Sequence, residues 1–537
     1  MKRAVLSRRA TSLRAIGACA ALAVAAGCAG PPKTPNWQGP SGDEVTPRLL
    51  AALKEEATGD PVKAEEMYVD LMDDAIYDSP WELVAMEASM DALVTRQASG
   101  LSDFSDRTAL AYRTRDATFF SPDKPELLTA RLPHIFRIEQ DSIKKGILAR
   151  GLMQLAEKRG SWADAERWRA ATGCAREATI MGPTAWTSIT SVRDAGPSSL
   201  DAFDAPLPAS YTTTGPFGSN EAPYIEKNHG CTIDLSATSR RTGMRTVVVD
   251  LDVRLKQTIA VGLRAHGQAS LRVGGLLAIE QPYELGATEA VRFAKVDVNP
   301  GRVRVVAEVG MDEDGETLEI DAFTDEGDSL IAHAPKPGER ANARATHVKR
   351  VDFPVPKGDP EKTSVALAAL ATGDARTAER LLEDVVKEPN PSPDAMLVYA
   401  RAVESARDLS QVHRAERARA AYERVMTTWP GSWEAVLAHG VLAGVRRGES
   451  DARLETLRDV EDHRAKVGPK GQALIDAFEA ATCGREHLYG KGADAFARAK
   501  TVLDRTALLR DAEEATFTRS DDDTARFACS TTPPNDR

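Results

Sequence analysis

The sequence predicts a multidomain α and β protein in which α-solenoid helical regions flank an all-β sandwich. Three observations predict this fold class. Residues 45–173 and 361–515 carry Ala, Leu and Glu at helical spacing, whereas the apolar period shortens towards two between residues 175 and 350. The chain has 537 residues, which is enough for about two to four domains.

The beginning of the chain is typical of a cleavable export signal. Basic residues come first, and the apolar stretch that follows, residues 15–26, is too short to span a bilayer. Ala26 and Gly27 then precede Cys28, an ending that resembles the lipobox of bacterial lipoproteins. The resemblance implies that Cys28 becomes an N-terminus carrying acyl chains such as palmitate, and Ala29 after it implies sorting to the outer membrane. The alternative is an ordinary secretory signal in which Cys28 is incidental.

Changes in composition divide the rest of the chain. Pro, Gly and Ser are frequent just after Cys28, as in a flexible tether, and the carboxyl-terminal tail is rich in Asp and ends in Pro. The predicted segments are a lipoprotein signal peptide (1–27), a tether (28–44), a helical repeat-like domain (45–173), a β-sandwich domain (175–350), a second helical domain (361–515) and a disordered tail (516–537).

The β segment contains period-two runs separated by turn signals such as Gly274 with Gly275. This spacing of short strands is typical of a sandwich. We expect strands at residues 246–253, 258–263, 269–279, 303–309 and 317–323.

A weak repeat in the helical regions resembles the tetratricopeptide unit, in which a small residue is followed by apolar residues four and seven positions later and then by proline. The resemblance implies an α-solenoid; an irregular helical bundle is the alternative. The matching residues are Ala418, Tyr422, Val425 and Pro430, then Ala378, Leu382 and Val385, and then Ala64, Tyr68 and Leu71.

Residues 215–218, 270–275 and 301–305 loosely resemble jelly-roll domains related to the PA14 module and to the sugar-binding domains of glycosidases. Sugar sites of such folds need exposed aromatic side chains, and Trp186 and Tyr224 are the candidates. The whole layout resembles the amino-terminal part of larger bacterial lipoproteins that carry a transglutaminase-like domain, and we expect no such domain in this chain.

Outside the export signal and Cys28, the cysteines are Cys174, Cys231, Cys483 and Cys529. An even number in an exported chain indicates disulfides, and four cysteines allow three pairings. Closeness along the chain favours Cys174 with Cys231 and Cys483 with Cys529. Buried thiols are the alternative.

The sequence lacks the motifs of several function classes. The formal net charge is −11, and no basic stripe follows the export signal, so we expect no nucleic-acid partner. Neither a His-Glu-x-x-His nor a Cys-x-x-Cys metal motif is present, nor a phosphate-binding loop, nor a nucleophile elbow. We therefore expect no metal, no cofactor and no enzymatic activity.

These observations favour a lipid-anchored protein of the cell outer membrane, facing the periplasm or the cell surface, that acts as a scaffold in the envelope. Grooves of helical repeats bind proteins or peptides. Candidate contacts lie around Tyr399, Arg401, Glu404 and His439. The alternative is a cell-wall or polysaccharide-binding protein, with glycan bound by the β-sandwich.

Overall fold

The structure is a computed structural model, and all the residues it describes lie in one compact unit, Pro40–Arg537. The described residues are 40–58, 61–73, 79–95, 130–158, 161–184, 200, 202–213, 218–227, 230–237, 243–265, 268–281, 290–311, 317–406, 411–435, 437–438, 458, 461, 464–465, 469–485, 489–502 and 512. Cys28, Trp186, His439 and Cys529 lie outside them.

Helices occupy most of the described chain before residue 172. Their sequences are rich in Ala, Leu, Met and Glu, which are strong helix formers. Two of them begin at a proline, where the missing N–H needs no partner. The helices are α1 (Gly42–Thr58), α2 (Pro61–Asp73), α3 (Pro80–Thr95), α4 (Leu132–Ile138), α5 (Ser142–Lys158) and α6 (Trp162–Ala171).

A second helical region follows the sheets. Its described helices are α7 (Asp359–Ala371), α8 (Ala375–Lys387), α9 (Pro393–Ser405), α10 (Gln411–Thr428), α11 (Pro469–Arg485) and α12 (Tyr489–Lys500). Side-chain caps fix two of the starts: Asp374 accepts a hydrogen bond from the Thr377 amide at 3.0 Å, and Ser392 accepts one from the Ala395 amide at 3.2 Å.

The residues between the helical regions form antiparallel sheets. Their strands are β1 (Glu177–Met181), β2 (Tyr211–Thr212), β3 (Asn220–Glu221), β4 (Tyr224–Lys227), β5 (Ile233–Asp234), β6 (Gly243–Val253), β7 (Gln257–Ala265), β8 (Ala269–Val273), β9 (Leu276–Gln281), β10 (Ala290–Val298), β11 (Gly301–Met311), β12 (Thr317–Thr324), β13 (Ala332–His333) and β14 (Ala345–Val351). One sheet has the order β4-β1-β6-β11-β8-β9, with β13 also paired to β6; the other has the order β14-β10-β7-β12-β5; β2 pairs with β3.

One apolar core draws side chains from both larger sheets. Alternate residues of β6, including Val247 and Val249, belong to it together with Val261 of β7 and Val305 of β11. Alternation of this kind places one face of each strand in the core. The expected combination of helices and antiparallel sheets is therefore confirmed.

The strand predicted at residues 269–279 is divided in the structure. Gly274 and Gly275 both have positive φ angles, 52° and 87°, so the chain reverses there and β8 pairs with β9. The other predicted strands fall within β6, β7, β11 and β12.

The repeat-like positions of the two helical regions face the core. Ala64, Tyr68 and Leu71 on α2 are buried. The corresponding side chains on α8 and α10 are buried as well, namely those of Ala378, Leu382, Val385, Ala418, Tyr422 and Val425.

The two helical regions pack against each other. Helix α7 contacts both α1 and α3, and a single apolar cluster joins Leu49 of α1 and Met86 of α3 with Ala366 of α7 and Leu382 of α8. Burial in one shared cluster means that neither region completes its core alone.

The first helical region also packs on the second sheet. Phe323 of β12 belongs to the helical apolar cluster, and a side chain at Gly146 of α5 would place its Cβ 2.6 Å from the Phe323 ring. Glycine at position 146 therefore permits this close approach. None of the helices that the structure describes combines the length and hydropathy that a bilayer span requires.

Candidate functional site

A small pocket opens where helices from both regions meet. We call it the helical pocket. It measures about 30 Å³, room for two or three waters or for one small apolar group. Its lining comprises Leu49, Leu53, Tyr68, Ala88, Asp91, Ala92, Leu367, Leu370 and Arg401.

The helical pocket has a mainly apolar lining that also includes two charged side chains. Leu49 and Tyr68 are 1% exposed, while Leu370, Asp91 and Arg401 are half-buried. The pocket therefore combines an apolar floor with one acidic and one basic side chain. Such a lining suits an apolar group that is flanked by polar atoms.

Three of the residues predicted as contacts lie on α9 and have different surroundings. Arg401 lines the helical pocket, whereas Tyr399 is half-buried and packs against both the shared apolar cluster and a second cluster within the second helical region. Glu404 accepts a hydrogen bond from the Tyr422 hydroxyl at 2.8 Å. Burial raises the pKa of Tyr422 well above its ordinary value, and the nearby Glu404 carboxylate adds to this. Tyr399 and Glu404 thus help to assemble α9 with its neighbours, and Arg401 is the one of the three that reaches the pocket.

Tyr224, the described aromatic candidate for sugar contact, lies on β4 at the edge of its sheet. The side chain is 43% exposed. Trp186, the other candidate, is outside the described residues.

Two of the cysteines are joined. Cys174, just after α6, and Cys231, just before β5, form a disulfide with an S–S distance of 2.07 Å. Cys483 of α11 is buried, and its expected partner Cys529 is outside the described residues. Closeness along the chain therefore predicts the partner that Cys174 has in the structure.

A second cleft lies at one end of the strands. We call it the basic cleft, and its volume is about 420 Å³. The cleft is lined by Asp252, Val253, Arg254, Gly301, Arg302, Arg340 and Asn342. Sequence reasoning missed it because its arginines come from separate segments: Arg254 follows β6, Arg302 is at the start of β11, and Arg340 precedes β14. The sequence does contain one signal for the cleft, because Arg254 and Arg302 lie at the ends of two predicted strands.

Charged side chains are also buried where the helices meet the second sheet. Arg150 of α5 donates to both oxygens of Asp321, at 2.8 and 2.7 Å, and also contacts Glu319. On α3, burial raises the pKa of Glu87 to about 7, although Arg264 and Arg150 oppose the shift. These charges lie between packed elements rather than in an open cleft, so they hold the helices on the sheet.

The second helical region contains a further carboxylate with a shifted pKa. The pKa of Glu434 is raised to about 7, mainly by burial and in addition by the Asp394 carboxyl, which shares a hydrogen bond with it. Among the described residues, no group of three or more His, Cys, Asp or Glu side chains is arranged to bind a metal ion.

Comparisons with known proteins add little. No protein-family model matches the chain, and no curated protein matches it either. Among solved structures, the crystal structure of a β-glucosidase from Kluyveromyces marxianus in complex with glucose is similar at 13% identity, with a TM-score of 0.18. The match covers 35% of this chain and 32% of the β-glucosidase chain. A TM-score of this size supports no inference about fold or function.

Proposed function

We propose that the protein is a lipid-anchored outer-membrane lipoprotein that acts as a non-enzymatic scaffold and binds an envelope protein or peptide on its helical surface. In this proposal the helical regions form one α-solenoid-like body, and the two larger sheets form a sandwich inserted between them. The observation that carries the proposal is the helical pocket, in which Arg401 lies beside an apolar floor.

The pocket supports binding rather than chemistry. It is lined by leucines, alanines, a tyrosine, an aspartate and an arginine, with no histidine, cysteine or serine among them. Asp91 is the carboxylate of the lining, and no histidine, cysteine or serine stands beside it there to form a nucleophile–base pair. A buried apolar anchor with a charged neighbour is the arrangement that binding hot spots use.

The size of the pocket limits what enters it. A pocket of about 30 Å³ accepts a single aliphatic group rather than a whole ligand. The partner would therefore insert one apolar side chain and extend over the surrounding helices. A backbone carbonyl or carboxylate next to that side chain would accept hydrogen bonds from Arg401.

The test uses point variants. Deleting the second helical region would expose Leu49 and the rest of the shared apolar cluster, so loss of binding would be uninformative. A photo-crosslinking amino acid at Leu370, on the rim of the helical pocket, is compared with the same amino acid at Leu255, which is 73% exposed on the turn between β6 and β7. Both full-length chains are irradiated in intact envelopes.

We expect one discrete protein or peptide adduct from position 370 and no protein or peptide adduct from position 255. The adduct should weaken in Arg401→Glu, and it should persist in Arg419→Glu, a charge reversal at an exposed position of α10. A glycan adduct from position 255, with none from position 370, would contradict the proposal and favour polysaccharide binding by the sheets.

The anchor is tested separately. Labelling with a fatty-acid analogue should mark the wild-type chain, and Cys28→Ala should abolish the label and release the protein from membranes. Equal labelling of Cys28→Ala and the wild type would refute the lipoprotein assignment.

A further inference from the structure

The basic cleft contains three guanidinium groups whose hydrogen-bond donors are largely unused. Arg254 has no hydrogen bond or ion pair with any described residue, and Arg340 donates from Nη1 to the Asp204 carbonyl at 3.2 Å. The Arg302 guanidinium lies 3.9 Å from Asp252 and 3.7 Å from Glu339, too far for hydrogen bonds. Each guanidinium carries five N–H donors. All three guanidinium groups therefore have N–H donors available to a ligand.

The strand ladder and a side-chain bond hold this arrangement in place. In the register of β6 and β11, Arg302 is directly opposite Asp252. The Arg302 amide donates to Asn342 Oδ1 at 2.6 Å, and the Asn342 amide donates back to the Arg302 carbonyl at 3.0 Å. These reciprocal bonds attach the segment before β14 to the start of β11. A ligand in the cleft would thus meet groups on a rigid framework.

The charge of the cleft is opposite to that of the chain. Three arginines and a single carboxylate, Asp252, line it, and Glu339 stands beside it, whereas the chain as a whole has a formal charge of −11. The Asp252 carboxylate also interacts with His333, whose Nε2 is 3.0 Å away. A local excess of positive charge on an acidic protein attracts anions to this place.

We infer that the basic cleft binds a phosphate group, presented as a phosphate monoester or diester. A phosphate monoester has three terminal oxygens and up to two negative charges, and a diester has two ester oxygens besides its two terminal ones, so both offer the three guanidinium groups more acceptor oxygens than a carboxylate does. The volume of about 420 Å³ falls in the range of small-molecule sites, so it also admits part of the molecule that carries the phosphate. This inference is independent of the proposed scaffold function.

The test titrates the full-length protein into inorganic phosphate, glucose 6-phosphate and dimethyl phosphate, with binding followed by ³¹P NMR line broadening. Inorganic phosphate and glucose 6-phosphate represent small free ligands, and dimethyl phosphate represents the diester linkage of a polymer or lipid. Acetate serves as a competitor. We expect saturable binding of at least one phosphate probe, and we expect acetate to compete at least about tenfold more weakly.

Variants distinguish the cleft from the rest of the surface. Arg254→Gln and Arg340→Gln should each weaken binding by about tenfold, the loss expected for one charge-assisted hydrogen-bonding group. Arg350→Gln, an equal charge change at an exposed position of β14, should leave binding unchanged. Arg254 is exposed and makes no contact that folding needs, so its variant should keep the wild-type melting temperature.

Three results would overturn the inference. The first is the absence of saturable binding by every phosphate probe. The second is competition by acetate that is as strong as competition by phosphate. The third is an Arg350→Gln effect equal to that of Arg254→Gln, which would mean that net charge alone attracts the probes.

Discussion

Arg304 of β11 and Asp250 of β6 form a buried ion pair across directly opposed positions of the two strands. Arg304 Nε lies 2.8 Å from Asp250 Oδ1, Nη2 lies 3.0 Å from Oδ2, and both side chains are 1% exposed. Arg304 also donates to the carbonyls of Ala205 and Glu339, at 2.6 and 3.2 Å. One buried guanidinium therefore joins the central strands to two segments outside the ladder.

Removing the charge of Asp250 should strongly destabilise the protein. Asp250→Asn leaves the Arg304 charge buried without its counterion, and the free energy of unfolding should fall by about 3–5 kcal/mol in urea denaturation. Glu383→Gln, which breaks the exposed Glu383–Lys387 pair on α8, is the control and should leave the midpoint almost unchanged. A similar midpoint shift in both variants would show that the Arg304–Asp250 pair has no special role.

Glu82 should make stability fall as the pH rises. Burial raises its pKa from 4.5 to about 7, although the Lys144 ammonium, 2.5 Å away, opposes the shift. Between these two values the folded state binds more protons than the unfolded state, so the free energy of unfolding decreases across that window. Glu82→Gln should flatten the decrease when unfolding is measured by urea at pH values from about 4 to 8.

Glu383→Gln is the control for this prediction, because the pH dependence of stability that Glu383 contributes has the opposite sign. A hydrogen bond from Lys387 lowers the pKa of Glu383, so that carboxylate contributes stability above its unfolded pKa, which is lost as the pH falls. Glu383→Gln should therefore change the acid end of the profile only. A Glu82→Gln profile parallel to that of the wild type would contradict the predicted shift.

Gly274 should not tolerate a side chain. Its φ is 52°, and a Cβ there would overlap the backbone amide nitrogen of Ala345. Gly274→Ala combines left-handed strain with a clash against immobile backbone, and should lower the free energy of unfolding by about 3 kcal/mol. Gly338→Ala separates the two effects, because Gly338 also has positive φ, 83°, but has no atom within 4 Å of its ideal Cβ. Gly338→Ala should lower the free energy of unfolding by about 1 kcal/mol. An equal loss in the two variants would rule out a contribution from the clash at Gly274.

Opening the Cys174–Cys231 disulfide should cost about 4 kcal/mol, the value expected for a loop of this length. The bridge closes a sequence separation of 57 residues and links the end of α6 to the segment before β5. Urea denaturation with and without a reductant measures the effect. The double variant Cys174→Ala with Cys231→Ala should resemble the reduced wild type and should no longer respond to reductant. A wild-type midpoint that is insensitive to reductant would contradict the prediction.

Local patterns in the sequence locate the helical regions and several of the strands, although β10 and β14 are not among the predicted strands. Period-two spacing locates β6 because alternate side chains of that strand, such as Val247 and Val249, face one core. The repeat-like spacing of Ala418, Tyr422 and Val425 corresponds to one buried face of α10. Both patterns depend only on residues close together in the chain.

The two clefts depend on contacts that local patterns do not encode. Arg401 reaches the helical pocket only because α7 packs on α1 and α3, which brings Leu49 near Leu367. Arg254 and Arg302 converge because Gly301 is opposite Val253 in the β6–β11 register. Charge counting also missed the basic cleft, since the acidic balance of the whole chain obscures a local group of arginines.

The packing of α7 on α1 and α3 has a consequence for the order of folding. Leu49 and Ala366 belong to one apolar cluster, so the amino-terminal helices cannot complete the burial of their apolar faces until the chain has been extended past α7. Contacts of such large sequence separation form slowly, because a long loop must close before any contact is gained. While the sheets are being synthesised, α1, α2 and α3 will expose apolar surface, and this interval is when the protein most needs protection by a chaperone.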